Sequence, residues 1–108
     1  MDLRTKRCVP CEGGVPPLTR EQQEALLPQV PGWRVEGDRL TKTFVFETFP
    51  QAIAFVNRMA DLAEEEGHHP DFCVHYRMVE VSLWTHAIGG LSENDFILAA
   101  KIDPLAAG

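Results

Sequence analysis

The sequence predicts an α+β domain with the order α-β-β-α-β-β-α: a four-stranded antiparallel sheet with three helices on one face. Three observations predict it. Capping boxes of the form hydroxyl-x-x-Gln, at Thr19–Gln22 and Thr48–Gln51, open stretches with helical apolar spacing. Two alternating stretches, residues 33–46 and 72–85, are each long enough for a pair of short strands. Ser92-Glu93-Asn94-Asp95 then opens a third helical segment before Pro104.

The first helix, residues 19–27, ends at Pro28 and Pro31. Trp33–Glu36 and Leu40–Phe46 alternate on either side of Gly37-Asp38, a two-residue turn. Leu40, Phe44 and Phe46 share one face, on which Lys42 is the exception. Pro50 sits in the first turn of the second helix, where its missing N–H is harmless. Ile53, Val56, Ala60 and Ala63, widened by Phe55, Met59 and Leu62, form its apolar stripe over residues 49–66. Gly67 is the expected C-cap. In the second hairpin Phe72, Val74 and Tyr76 alternate, as do Val79, Val81 and Leu83, which puts the turn near Arg77. Residues 1–18, with Pro10, Pro16, Pro17, Gly13 and Gly14, read as an arm without regular structure that could lie along the domain. Residues 19–108 form the domain.

With 108 residues the chain suits one domain. Its apolar fraction of 44% and charged fraction of 24% are those of a globular protein. A net charge of -6 argues against a nucleic-acid partner. No apolar run approaches the ~20 residues of a membrane span. Met1–Arg7 is charged and lacks the apolar core of a secretory signal, and the cysteines are odd in number. A cytoplasmic protein is expected. Cys8-Val9-Pro10-Cys11 has C-x-x-C form without a second pair, so structural cysteines are favoured over metal or redox use.

Chemistry concentrates at His68-His69-Pro70 and Thr85-His86. A hairpin centred on Arg77 sets His68 opposite His86 at one end of the sheet. Paired imidazoles serve as acid and base near neutral pH. Glu64 is spaced i, i+4 from His68, and its charge favours a protonated imidazole. Blander readings stand beside these: solvated loop histidines, a solvated Glu64-Glu65-Glu66 helix end, a structural His75, Asp95 as a capping residue, and Trp84 and Phe72 as core or interface residues. A three-histidine zinc site lacks an H-E-x-x-H spacing.

Glu64-x-x-x-His68-His69-Pro70, the aromatics Phe72 and Tyr76, Thr85-His86 and Gly90-Leu91-Ser92-x-x-Asp95 resemble the pterin-4a-carbinolamine dehydratases over about residues 18–103. Cys8–Gly14 looks like the extension of many bacterial members. The resemblance implies dehydration of a 4a-hydroxytetrahydropterin without metal, the pterin being substrate and no cofactor being needed. It implies that His68, His69 and His86 line the site, with His68 and His86 as the proton-transfer pair. His69, Pro70 and Phe72 would contact the pterin. Glu64 would orient His68, and Asp95 would support His86. It also implies a homodimer or homotetramer. Animal members of the family often carry tryptophan where this chain has Phe72. Two other roles suit the same scaffold: a pterin-binding protein of molybdopterin metabolism, and a dimerisation partner acting without catalysis.

Overall fold

The computed structural model describes residues 2–9 and 16–107. Cys11, and with it half of the C-x-x-C pair, lies outside them, as do Gly13 and Gly14. Three helices, α1 (Arg20–Leu26), α2 (Phe49–Glu66) and α3 (Glu93–Ile102), accompany four strands. The strands are β1 (Arg34–Glu36), β2 (Arg39–Val45), β3 (Asp71–His75) and β4 (Met78–Leu83). They form one antiparallel sheet in the order β1-β2-β4-β3. This is the expected architecture. Among the described residues no helix is long and apolar enough to cross a membrane.

Strand parity builds the core. Leu40 and Phe44 on β2 and Val79, Val81 and Leu83 on β4 point to one face and are buried. Phe55 and Met59 of α2 and Phe96, Leu98 and Ile102 of α3 pack in the same cluster. The opposite face carries Thr43, Cys73, His75 and Glu80, all exposed. His75 faces Glu80 there at 3.4 Å, well away from the other histidines. Lys42 lies on the core side, yet its ammonium escapes at the edge. It donates to Asp103 Oδ1 at 3.0 Å and to Pro31 O at 3.3 Å, and Trp33 Nε1 donates to the same Asp103 oxygen at 2.8 Å.

The capping boxes of α1 and α2 form as expected. The second hairpin differs from expectation by half a step. His75 pairs with Met78, so the turn is Tyr76-Arg77 rather than one centred on Arg77. A two-residue hairpin turn needs positive φ, which Tyr76 supplies at 55° in place of a glycine. Its ring stacks on Phe49, centroids 6.4 Å apart, and the Arg77 guanidinium lies 5.5 Å from it. These contacts offset part of the backbone cost. Continuing that register sets His68 opposite Thr85, not His86.

The described part of the N-terminal arm departs from expectation only in containing a 3-10 turn, Leu3–Thr5; it lies along the domain. Leu3 is buried, and its N–H donates to Gln29 Oε1 at 3.0 Å. Lys6 pairs with Glu93. Cys8 N–H donates to Glu66 Oε1 at 2.9 Å, while Lys101 holds the other Glu66 oxygen at 2.9 Å. Burial alone would raise the Glu66 carboxyl. The Cys8 N–H, Lys101 and Arg7 outweigh it and hold the group below its ordinary value. The Cys8 thiol is pushed up to about 12, by burial first and by the Glu66 charge next. It stays protonated near neutral pH and is a poor nucleophile or metal ligand.

Two outcomes follow from this packing. Gly67 caps α2 at φ 67°, with nothing within 4 Å of an added Cβ. Gly67→Ala therefore lowers the urea-unfolding free energy by about 1–2 kcal/mol through backbone conformation alone. Glu66→Gln costs about 2 kcal/mol by leaving Lys101 half-buried without its partner. Because the folded Glu66 is depressed, its contribution is complete above its ordinary value of 4.5 and is lost as pH falls through the folded value. Melting curves against pH check the sign: the acid limb is steeper in the wild type than in Glu66→Gln.

Candidate active site

The end of α2, the end of β4 and the start of α3 converge beside the open end of the β3–β4 hairpin. Gly67, in the left-handed conformation, breaks α2 and turns the chain out of the helix. Its N–H and that of His68 both reach Ala63 O, at 2.9 and 3.3 Å, which fixes where His68 starts. On the other side β4 runs into Thr85, which bridges Gly90 around a tight loop containing the 3-10 turn His86–Ile88. Ser92 then caps α3. Between these segments lies an open cleft of about 340 Å³, lined by His68, His69, Pro70, Trp84, Thr85 and His86 among others. Larger hollows elsewhere, such as the one of about 600 Å³ beside Asp103, carry no histidine.

At the back of the cleft Asp95 is fully buried. Its Oδ1 lies 2.6 Å from His68 Nε2. Its Oδ2 accepts from Thr85 Oγ1 and from the Ser92 N–H, both at 2.9 Å. A backbone N–H can only donate. Thr85 has one hydroxyl proton and gives it to Asp95, so Ser92 Oγ, 2.8 Å away, donates to Thr85. With Oδ2 filled by donors, Oδ1 is left to accept from His68. That assigns His68 the tautomer with hydrogen on Nε2. Its Nδ1 has no partner among the described residues, and the side chain is 12% exposed. Asp95 thus also plays the capping part expected of it, in the first turn of α3 where the helix dipole favours a carboxylate.

The carboxylate partners differ from expectation. Asp95 supports His68, not His86. Glu64 bonds His69, Oε2 to Nε2 at 2.5 Å, and not His68. The cause is Gly67: its left-handed turn rotates His68 off the helical i, i+4 position, and His69 swings back toward Glu64. Both Glu64 and His69 are largely exposed, so their pairing is weakly stabilising and mainly orients the ring. The acidic run divides by orientation, with Glu64 at the site, Glu65 in solvent and Glu66 in the buried pair with Lys101.

His86 is exposed, and its imidazole makes no hydrogen bond among the described residues. Its ring rests on Trp84, centroids 4.0 Å apart. His68, His69, His86 and Pro70 all line the one cleft. Phe72 does not. It sits in a smaller neighbouring hollow of about 150 Å³, with His69, Pro70, Glu64 and Met59. Among the described residues no three His, Cys, Asp or Glu side chains are gathered as metal donors.

Sequence reasoning passed over several cleft residues. Trp84, just past Leu83 at the end of β4, is half-buried against the edge of the core and also lines the cleft. Asp71 accepts its indole N–H at 3.2 Å. Val9 and Asn94 reach the rim, joined by a pair of hydrogen bonds of 3.0 and 2.6 Å. No local pattern announces that last contact, because the partners are far apart in the chain.

Comparison with known proteins shows the family. Residues 16–105 match the family model described as pterin 4 alpha carbinolamine dehydratase. A protein of Dechloromonas aromatica is 50% identical over 96% of this chain and 93% of its own. One of Rubrobacter xylanophilus is 50% identical over 96% and 98%. Both are named provisionally as pterin-4-alpha-carbinolamine dehydratases. Among solved structures, a transcriptional coactivator/pterin dehydratase from Brucella melitensis superposes with a TM-score of 0.79 at 34% identity, over 83% of this chain and 98% of that one. A pterin dehydratase-like RuBisCO assembly factor of the alpha-carboxysome gives 0.62 at 31% identity, over 74% and 95%. The chain belongs to the pterin 4 alpha carbinolamine dehydratase family.

Proposed function

We propose that the protein dehydrates 4a-hydroxytetrahydropterins to quinonoid dihydropterins, as in tetrahydropterin recycling after aromatic hydroxylation. The observation that carries this reading is one cleft with two unequal imidazoles, His68 clamped at Nε2 by Asp95 and the His86 ring without a hydrogen bond among the described residues. The reaction breaks the bond from C4a to the hydroxyl oxygen and the N5–H bond. It forms a C4a=N5 double bond, and the hydroxyl departs with an added proton as water. One group must take a proton while another gives one.

In this reading His68 is the base, using the unpartnered Nδ1 on the N5 proton. The imidazolium that forms faces the Asp95 carboxylate, which stabilises it. His86 is the acid that protonates the leaving hydroxyl. Each turnover leaves His68 with one extra proton and His86 with one fewer, and exchange with solvent resets both. His69, oriented by Glu64, and Pro70 bear on the pterin ring, and Phe72 backs His69 from the adjoining hollow. The scheme requires no metal and no cofactor. A homodimer or homotetramer in the cytoplasm belongs to the same reading: edge strand β3 leaves one side of its backbone open for pairing.

A protein-binding role is the alternative that the names of the two structural relatives raise. It is independent of the histidines, which makes the two readings separable.

The test is dehydration of freshly generated 4a-hydroxytetrahydropterin, followed by its ultraviolet change. Chelator-treated wild type accelerates the reaction. His68→Ala and His86→Ala each lower kcat by about 10²-fold or more, the usual worth of a proton-transfer group. Asp95→Asn lowers kcat by about 10-fold to 10²-fold, because an amide stabilises no imidazolium. Binding without turnover would shift the assignment to a pterin-binding protein. Full activity in both histidine variants would remove the acid/base scheme, and loss on chelation would point to a metal enzyme.

A further inference from the structure

Trp84 is held on three sides. Its indole N–H donates to Asp71 Oδ2 at 3.2 Å. The Arg39 guanidinium lies 4.8 Å from the ring centroid and bonds the same Asp71 oxygen at 3.1 Å. The His86 ring lies 4.0 Å from Trp84, inclined at 44°. Arg39 comes from β2 and Asp71 from β3, and Trp84 continues β4, so the indole is tied to three adjacent strands. His86 has no such anchorage. It opens a short 3-10 turn, is exposed, and its imidazole makes no hydrogen bond among the described residues.

We infer that Trp84 is a positioning residue for His86, and that Asp71 and Arg39 act through it. An imidazole on a loop, with two free side-chain torsions, samples several directions. A fixed aromatic plate against one face removes most of them. Placement of a proton donor within a fraction of an ångström matters for the reaction rate far more than for ground-state binding. The inference rests on the dehydratase reading and adds to it: this cluster governs kcat rather than substrate affinity.

The test joins a spectroscopic and a kinetic readout. In the wild type the His86 ring-proton resonances, assigned by their loss in His86→Ala, are displaced by the indole ring current. Trp84→Leu abolishes the displacement, lowers kcat by about tenfold or more, and leaves KM within about threefold. Trp84→Phe keeps a ring under the imidazole and restores most of both. Asp71→Ala leaves the core intact and frees the indole; it gives a partial displacement and an intermediate kcat, which decides the matter if Trp84→Leu does not fold. Undisplaced resonances in the wild type overturn the inference. So does unchanged kcat in Trp84→Leu, or a raised KM at constant kcat. A folded wild type that does not accelerate dehydration defeats the proposed function instead, and the resonances still decide whether Trp84 sets the His86 ring.

Discussion

The buried carboxylate of Asp95 is the constraint on which the site depends. It ties together the exit of α2 through His68, the exit of β4 through Thr85 and the cap of α3 through Ser92. A carboxylate without solvent is costly unless its oxygens meet donors. Here both oxygens do, and the first turn of a helix favours the charge further. Shifting any one of the three segments would leave that carboxylate short of a donor. The cleft is therefore rigid at its back wall, although its mouth is open and its other two histidines are exposed.

A second buried carboxylate, Glu66, does parallel work on the N-terminal arm. It joins the last turn of α2 to Lys101 of α3 and to the Cys8 N–H. Asn94, the neighbour of Asp95 on α3, holds Val9 by both ends of its amide. The arm thus reaches the cleft through the same two helices that position His68. The Cys8 thiol, pushed up to about 12, is a packed group within this seam rather than a reactive one.

Much of the fold was legible in the sequence, because its signals are local. The boxes at Thr48–Gln51 and Ser92–Asp95 mark helix starts by hydrogen bonds that span three residues, and Gly37-Asp38 dictates its own turn. What escaped depends on distant partners or on unusual backbone. Tyr76 adopts a conformation normally marked by glycine, and this displaced the hairpin centre. Gly67 took His68 off the helical spacing from Glu64, so that Glu64 bonds His69 and His68 turns to Asp95. Lys42 was legible as an exception but not as a solution, because its partner Asp103 lies on the far side of the domain in sequence. Trp84 was legible as a packed aromatic but not as a wall of the cleft, because its partners Arg39 and Asp71 come from other strands.

The family's chemistry and this chain's geometry meet at the orientation of one ring. If Asp95 fixes His68 with hydrogen on Nε2, then Nδ1 is the basic nitrogen, and the direction of proton transfer follows. Nitrogen-15 correlation spectra of the histidine rings in the resting protein test this most directly. The account predicts a protonated Nε2 and an unprotonated, acceptor-type Nδ1 for neutral His68, with the pattern lost in Asp95→Asn. Hydrogen on Nδ1 of neutral His68 in the wild type would contradict it and remove the base from the proposed reaction.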